Sequence, residues 1–192
     1  MTGREALEKL LEGNRRYLEG GGARAVGQAD RESLVDSQSP MAAILCCSDS
    51  RVPPEHVFDA GLGEIFIVRV AGHVVGTSVL GSLEYAVDHL DVPLILVLGH
   101  ESCGAVKAAL AGGEVHGSIK RLVERIKPSL KDINTRTEIS REIMEAAVTE
   151  NVRFTQHQLQ GLSDSIRKKV EAGDLMVTGA VYSLRSGEVN TV

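Results

Sequence analysis

Met41-Ala42-Ala43-Ile44-Leu45-Cys46-Cys47 is a continuous apolar run, introduced by Ser39-Pro40 and followed at once by Ser48-Asp49-Ser50-Arg51. No polar residue interrupts it, so it lacks the alternation of a strand with one wet face. Its length and bounding turn residues suit a strand covered on both sides. Glu64–Val70 and Pro93–Leu98 share that β-branched or leucine-rich character, and Leu175–Leu184 is a fourth such run. Ser78–Leu90, Cys103–Leu110, Ser118–Leu130, Glu138–Gln160 and Asp164–Ala172 have helical length and periodicity, with Gly or Pro near several ends. Strands alternating with helices predict an α/β fold on a largely parallel sheet of four to five strands flanked by helices.

At the amino end, Leu7, Leu10, Leu11 and Leu18 recur at helical spacing from Gly3 to Glu19, and Gly20-Gly21-Gly22 stops the pattern. An apolar stripe of this kind needs a surface that a chain of this size is not expected to supply by itself. The chain of 192 residues with 43% hydrophobic content suits one domain, 1–192, in which residues 1–20 form a helical arm.

A net charge of −5 argues against a nucleic-acid partner, which needs clustered excess Lys and Arg; Arg167-Lys168-Lys169 reads as the solvated face of a helix. Ile44–Cys47 and Leu94–Leu98 are too short to cross a bilayer, and the N-terminal pattern is amphipathic and acidic rather than that of a signal sequence. A soluble cytoplasmic protein without a membrane partner is expected. The three cysteines are an odd number, and adjacent Cys46 and Cys47 would make a strained disulfide. Reduced thiols beside a histidine are metal ligands or catalytic groups more often than bridges.

Two segments carry that chemistry, Cys47-Ser48-Asp49-Ser50-Arg51 and Gly99-His100-Glu101-Ser102-Cys103-Gly104. Cys47 closes the first strand and His100 follows the third, so both emerge at the carboxyl edge of the sheet, where α/β folds bind ligands. Two thiolates and one imidazole are a donor set that zinc accepts tetrahedrally, and three protein ligands leave the open position of a catalytic site. Alone, a cysteine at a buried strand end is a small hydrophobe and a His-x-x-Cys pair is weak evidence. Convergence of both segments on one sheet edge is what favours a metal. Cys46 points to the other side of its strand and belongs to the core. Among the remaining histidines, His56, His89, His116 and His157 read as surface or capping residues, while His73, in Ala-Gly-His, is expected near the pocket mouth as a proton shuttle.

The paired segments, about fifty residues apart, closely resemble the signatures of the β-class carbonic anhydrases, with similarity from about Gln38 to Val106 and flanking elements that also fit that family. The resemblance implies reversible hydration of carbon dioxide to bicarbonate by a zinc-bound hydroxide. It implies one Zn2+ per chain on Cys47, His100 and Cys103, with Asp49 and Arg51 as a catalytic dyad. Asp49 would orient the nucleophile, Arg51 would keep that carboxylate off the metal, and an unclamped Asp49 would become a fourth ligand. Gln38, Phe66, Tyr85 and Gly104 correspond to the substrate pocket, which a neighbouring subunit completes. A homodimer or dimer of dimers follows, with the N-terminal arm across the partner. Arg69 and Tyr182 match two residues of a bicarbonate regulatory site found in some bacterial members, whose Trp position is Ile44 here. Two other readings remain: a related zinc hydrolase of carbonyl sulfide or carbon disulfide, and a non-catalytic zinc-binding protein, for which Asp49 and Arg51 would have no purpose.

Overall fold

β1 (Ala42–Cys46) and β3 (Leu94–His100) lie side by side and parallel near the middle of a five-stranded sheet. In this computed structural model, which describes residues 1–21, 26–133 and 139–192, β2 (Ile65–Arg69) flanks β1. On the other side β4 (Met176–Tyr182) flanks β3 and carries β5 (Val189–Thr191), giving the order β2-β1-β3-β4-β5. Among the described residues, only the β4–β5 pairing is antiparallel. All residues of β1 and β3 are buried, because helices cover both faces. Ala42, Ile44, Cys46, Leu94, Leu96 and Leu98 face one core, which holds Ala6 and Leu10 of α1 (Gly3–Leu18) and Val57 of α3 (Pro54–Val57). Ala43, Leu45, Ile95 and Val97 face the other, against α4 (Thr77–His89), α7 (Arg141–Leu162) and α8 (Asp164–Ala172). The period-two alternation of strand side chains thus persists, and both sets are apolar because both faces are dry.

α2 (Gln28–Ser33) lies between α1 and β1, while α5 (Gly104–Ala111) and α6 (Gly117–Ile126) follow β3. Ser118–Leu130 was expected as one helix. Pro128 instead tightens the segment after Ile126 into a 3-10 turn, Lys127–Leu130, because proline cannot donate the hydrogen bond that continues an α-helix. α7 runs from Arg141 to Leu162 rather than from Glu138 to Gln160; Glu138, like Gly22, lies outside the described residues. β3 extends through His100, so this histidine ends the strand instead of following it. α2, α3 and β5 are short elements that hydrophobic periodicity does not announce.

α1 starts with a capping box, in which the Thr2 hydroxyl accepts from the Glu5 amide at 3.2 Å and the Thr2 amide donates to the Glu5 carboxylate at 2.7 Å. Its stripe divides between the chain's own core and the surface. Ala6 and Leu10 are fully buried in the chain's own core. Asn14 ties the helix down by donating to the carbonyls of Val57 at 3.0 Å and Gly187 at 2.9 Å and accepting from the Val189 amide at 3.0 Å. The sheet leaves one face open beside α3, which Ala6 and Leu10 fill, whereas Leu7 and Leu11 are half-buried and Leu18 is 42% exposed. Among the described residues no helix is long and apolar enough to cross a membrane.

Candidate metal centre

Cys47 leaves β1 one residue beyond Cys46, which is level with Leu98 in β3; His100 therefore emerges one residue further along the neighbouring strand. The chain then reverses through Ser102, whose φ of 57° lies in the left-handed region, and delivers Cys103 to the position preceding α5. The ligand atoms of Cys47, His100 and Cys103 all lie within 4.8 Å of one another, and all three residues are buried. The sulfurs are 4.0 Å apart, twice too far for a disulfide of about 2 Å. They are close to the roughly 3.8 Å separating two thiolates on one tetrahedral zinc with bonds of about 2.3 Å.

His100 is the deciding observation for a cation. Its Nδ1 lies 2.9 Å from the Glu101 carbonyl, an acceptor only, so Nδ1 carries the hydrogen and Nε2 presents a lone pair. Among the described residues, that Nε2 is the buried side-chain polar atom without a hydrogen-bond partner. Leaving a buried acceptor unmatched costs about 1–3 kcal/mol, which a cation between it and the two sulfurs would remove. The thiols support the same conclusion. A hydrogen bond from Cys103 lowers the Cys47 pKa, with help from His100 and from the Gly72 amide 3.3 Å away. Cys103 is raised, first by that same bond to Cys47 and then by burial. The pair thus shares a proton when no cation is present, and a divalent ion would displace it.

Asp49 stands beside the triangle, with Oδ2 3.9 Å from His100 Nε2. Arg51 grips it through Nε to Oδ1 at 2.9 Å and Nη2 to Oδ2 at 2.7 Å, and the Arg51 amide adds a bond to Oδ1 at 3.0 Å. These contacts, the guanidinium first, hold the carboxyl well below the usual carboxylate range. Arg69 reinforces the loop from β2, donating to the carbonyls of Cys47 at 3.1 Å and Asp49 at 2.6 Å. It thereby works as a staple on the loop that carries Cys47 and the dyad.

A family model described as carbonic anhydrase matches residues 42–189, the segment that carries all of these groups. The chain belongs to the β-carbonic anhydrase family. It is 43% identical over 189 residues to a carbonic anhydrase of Mycolicibacterium smegmatis, covering 96% of this chain and 90% of that protein. It is equally similar, at 43%, to carbonic anhydrase 2 of Mycobacterium tuberculosis, over 95% of this chain and 89% of that protein. Among solved structures, the β-carbonic anhydrase of Coccomyxa in complex with acetazolamide superposes with a TM-score of 0.77 at 26% identity, covering 98% of this chain and 82% of that one.

Against that family background, the pocket residues divide. Gly104 opens α5 beside Cys103, and a Cβ built there would meet nothing within 4 Å, so open space adjoins the ligands. Phe66 on β2 and Tyr85 on α4 meet each other, with ring centres 6.3 Å apart, and Tyr85 is 47% exposed. Gln38 is exposed and precedes β1 at the amino end of the sheet, where the Met41 amide binds the Glu64 carbonyl. From residue 41 to residue 47 the strand advances about 20 Å, so Gln38 of the same chain does not reach the ligands. Arg69 and Tyr182 stand on strands separated by β1 and β3, which puts their backbones roughly 14 Å apart. Tyr182 faces Tyr17, with hydroxyls 3.2 Å apart, Arg69 is engaged by the carbonyls of Cys47 and Asp49, and Ile44, at the third position of the bicarbonate site, is core.

His73 is corrected as well. Its exposure is 1%, both ring nitrogens have protein partners, and burial pushes its pKa down to about 4, so it stays neutral and cannot ferry protons at a pocket mouth. Cys46 is core as expected, with burial pushing its thiol up to about 12. Asn151 and Thr155, the partners of His73, escaped the sequence reading. The available signal was a pair of polar residues inside the apolar stripe of a long helix.

Proposed function

We propose that this protein catalyses the reversible hydration of carbon dioxide to bicarbonate and a proton, at a zinc ion held by Cys47, His100 and Cys103. The observation that carries the proposal is the Arg51-clamped Asp49 carboxylate beside the unmatched His100 Nε2. A closed structural site has no use for a fixed anion at its open side. Zinc there supplies Lewis acidity, which makes water a nucleophile near neutral pH. Asp49 would accept the hydrogen of that nucleophile and turn its lone pair toward the substrate carbon, while Arg51 would keep the carboxylate from taking the coordination position itself. Released from Arg51, Asp49, whose Oδ2 lies 3.9 Å from His100 Nε2, would be near enough to become a fourth ligand. The bare flank at Gly104 leaves room for a small apolar substrate beside Cys103.

The same reading takes the assembly to be a homodimer or a dimer of dimers. β2 lies at the sheet edge, four of its five residues are half-buried, and Phe66 with exposed Tyr85 forms an aromatic patch beside it. A second subunit on this edge is the source from which Gln38 could complete the pocket. Three free cysteines fit a reducing, cytoplasmic setting. Stopped-flow assays of the zinc-loaded protein on carbon dioxide and on carbonyl sulfide test the reaction. Fast, saturable hydration of carbon dioxide with slower carbonyl sulfide hydrolysis is expected. The reverse order would assign the site to the sulfur substrate, and zinc binding without either activity would make it a binding protein.

A further inference from the structure

A line of buried polar groups runs from α7 to the back of the metal centre. Asn151 and Thr155, each 2% exposed, share the apolar stripe of Val148, Val152 and Leu159 that packs on the sheet. The stripe sits deep because β3 and β4 offer glycines beneath it: a Cβ on Gly99 or Gly179 would come within 2.5 Å or 2.4 Å of Val152. Asn151 is thereby pressed against the turn Ala71–His73. Its Nδ2 donates to the Gly72 carbonyl at 3.1 Å and to His73 Nε2 at 3.3 Å, and Ser129 Oγ lies 3.1 Å from its Oδ1. The Gly72 carbonyl can only accept, which fixes the orientation of the amide. His73 Nε2 must then accept too, leaving Nδ1 to donate to Thr155 Oγ1 at 3.2 Å.

A single internal hydrogen bond closes the turn, from the His73 amide to the Val70 carbonyl at 2.8 Å. Gly72 and His73 both have left-handed φ, 64° and 44°, and such a conformation costs a residue other than glycine roughly 1–2 kcal/mol. A Cβ on Gly72 would lie 2.7 Å from Ile126. This turn is nevertheless what carries the Gly72 amide to within 3.3 Å of Cys47 Sγ.

We propose that Asn151 is a positioning residue of the metal centre: by gripping the Gly72 carbonyl and the His73 ring, it fixes the left-handed turn whose Gly72 amide donates to the Cys47 sulfur. The proposal rests on the reading of Cys47 as a metal ligand. A hydrogen bond to a coordinating sulfur orients it and withdraws electron density from it, and loss of outer contacts of this kind costs about 10–100-fold in metal affinity. Thr155 acts one bond further out, through His73, so its effect is smaller.

Cobalt binding tests this without recourse to turnover, because Co2+ reports the sulfur directly through its thiolate-to-metal charge-transfer band. Affinities for Zn2+ and Co2+ by chelator competition, and that band, would be measured for wild type, Asn151→Ala, Thr155→Val and Leu159→Ala. Asn151→Ala should bind both ions about 10–100-fold more weakly, with the band moved to longer wavelength as the sulfur becomes easier to oxidise. Thr155→Val should change both in the same direction by less, and it decides the matter if Asn151→Ala does not fold. Leu159→Ala opens a cavity in the same helix, so it should lower the melting temperature while keeping wild-type affinity and band. Wild-type values in Asn151→Ala and Thr155→Val, or equal losses in Leu159→Ala, would overturn the proposal. A wild-type protein that takes up no cobalt would overturn the metal-centre reading itself, and the proposal with it.

Discussion

Replacing Cys103 by serine is expected to strip the protein of most of its zinc, leaving a metal content below about one tenth of wild type after dialysis. The hydroxyl keeps the size of the thiol but ionises far less readily, so the ion loses one of the two charges that hold it. The position cannot be rescued locally. Cys46, the remaining thiol besides Cys47, points into the opposite core among Ile44 and Leu98. Serine at this position also leaves Cys47 without the neighbour whose hydrogen bond most lowers its pKa. Elemental analysis of the purified variant measures the loss, and a full complement of zinc would mean that other residues ligate. The structure offers no obvious substitutes: among the described residues, Cys47, His100 and Cys103 form the group of cysteine, histidine or acidic side chains close enough to share an ion.

The second large effect is a failure of additivity. Asp49→Ala, Arg51→Ala and the double variant should each lose turnover by a similar factor, on the order of 10²–10⁴. The reason is geometric. Asp49 makes both of its side-chain ion-pair bonds to Arg51, at 2.9 Å and 2.7 Å, so deletion of the guanidinium frees the carboxylate beside His100 as surely as truncation removes it. Once either partner is gone the other has nothing left to contribute, and the double variant falls little further. Losses that add in log rate would show two independent roles. The affected quantity should be kcat/KM with zinc content unchanged, which separates this pair from the ligands.

The parts of this molecule that were legible beforehand are those whose physics is local. Met41–Cys47 reads as a doubly covered strand because every one of its residues is apolar, and it is one: Ala42, Ile44 and Cys46 meet one core while Ala43 and Leu45 meet the other. Cys47, His100 and Cys103 are legible because thiolates near an imidazole have few chemical uses in a reducing compartment. Asp49 and Arg51 are two residues apart, so their pairing needs little knowledge of the fold. What escaped depends on distant contacts. The destination of α1 is decided by an open sheet face beside α3. The role of Arg69 is decided by two carbonyls some twenty residues earlier in the chain. Asn151 is bonded to residues nearly eighty positions away, and nothing in its neighbourhood along the chain announces that. β5 escaped for a simpler reason: it is three residues long at the sheet edge, with Asn190 and Thr191 exposed.

The proposed reaction requires a nucleophile that ionises near neutrality while Asp49 stays charged throughout. Arg51 depresses the Asp49 pKa below its ordinary value of 3.8, so this carboxylate is ionised, and the dyad intact, at every pH from mildly acidic upward. By sign, a carboxyl with a depressed pKa loses its contribution only as pH falls through that low value, so its protonation adds nothing to the profile near neutrality. Two thiolates, Cys47 and Cys103, would cancel the charge of a divalent ion held here, so water at such a site would ionise less readily than at a centre of three neutral imidazoles. Measuring kcat/KM for carbon dioxide hydration by the zinc-loaded protein from about pH 6 to about pH 9 is therefore the most direct test. Activity should rise across that range and level off on its alkaline side, whereas a flat profile, or one that falls with rising pH, would contradict the mechanism.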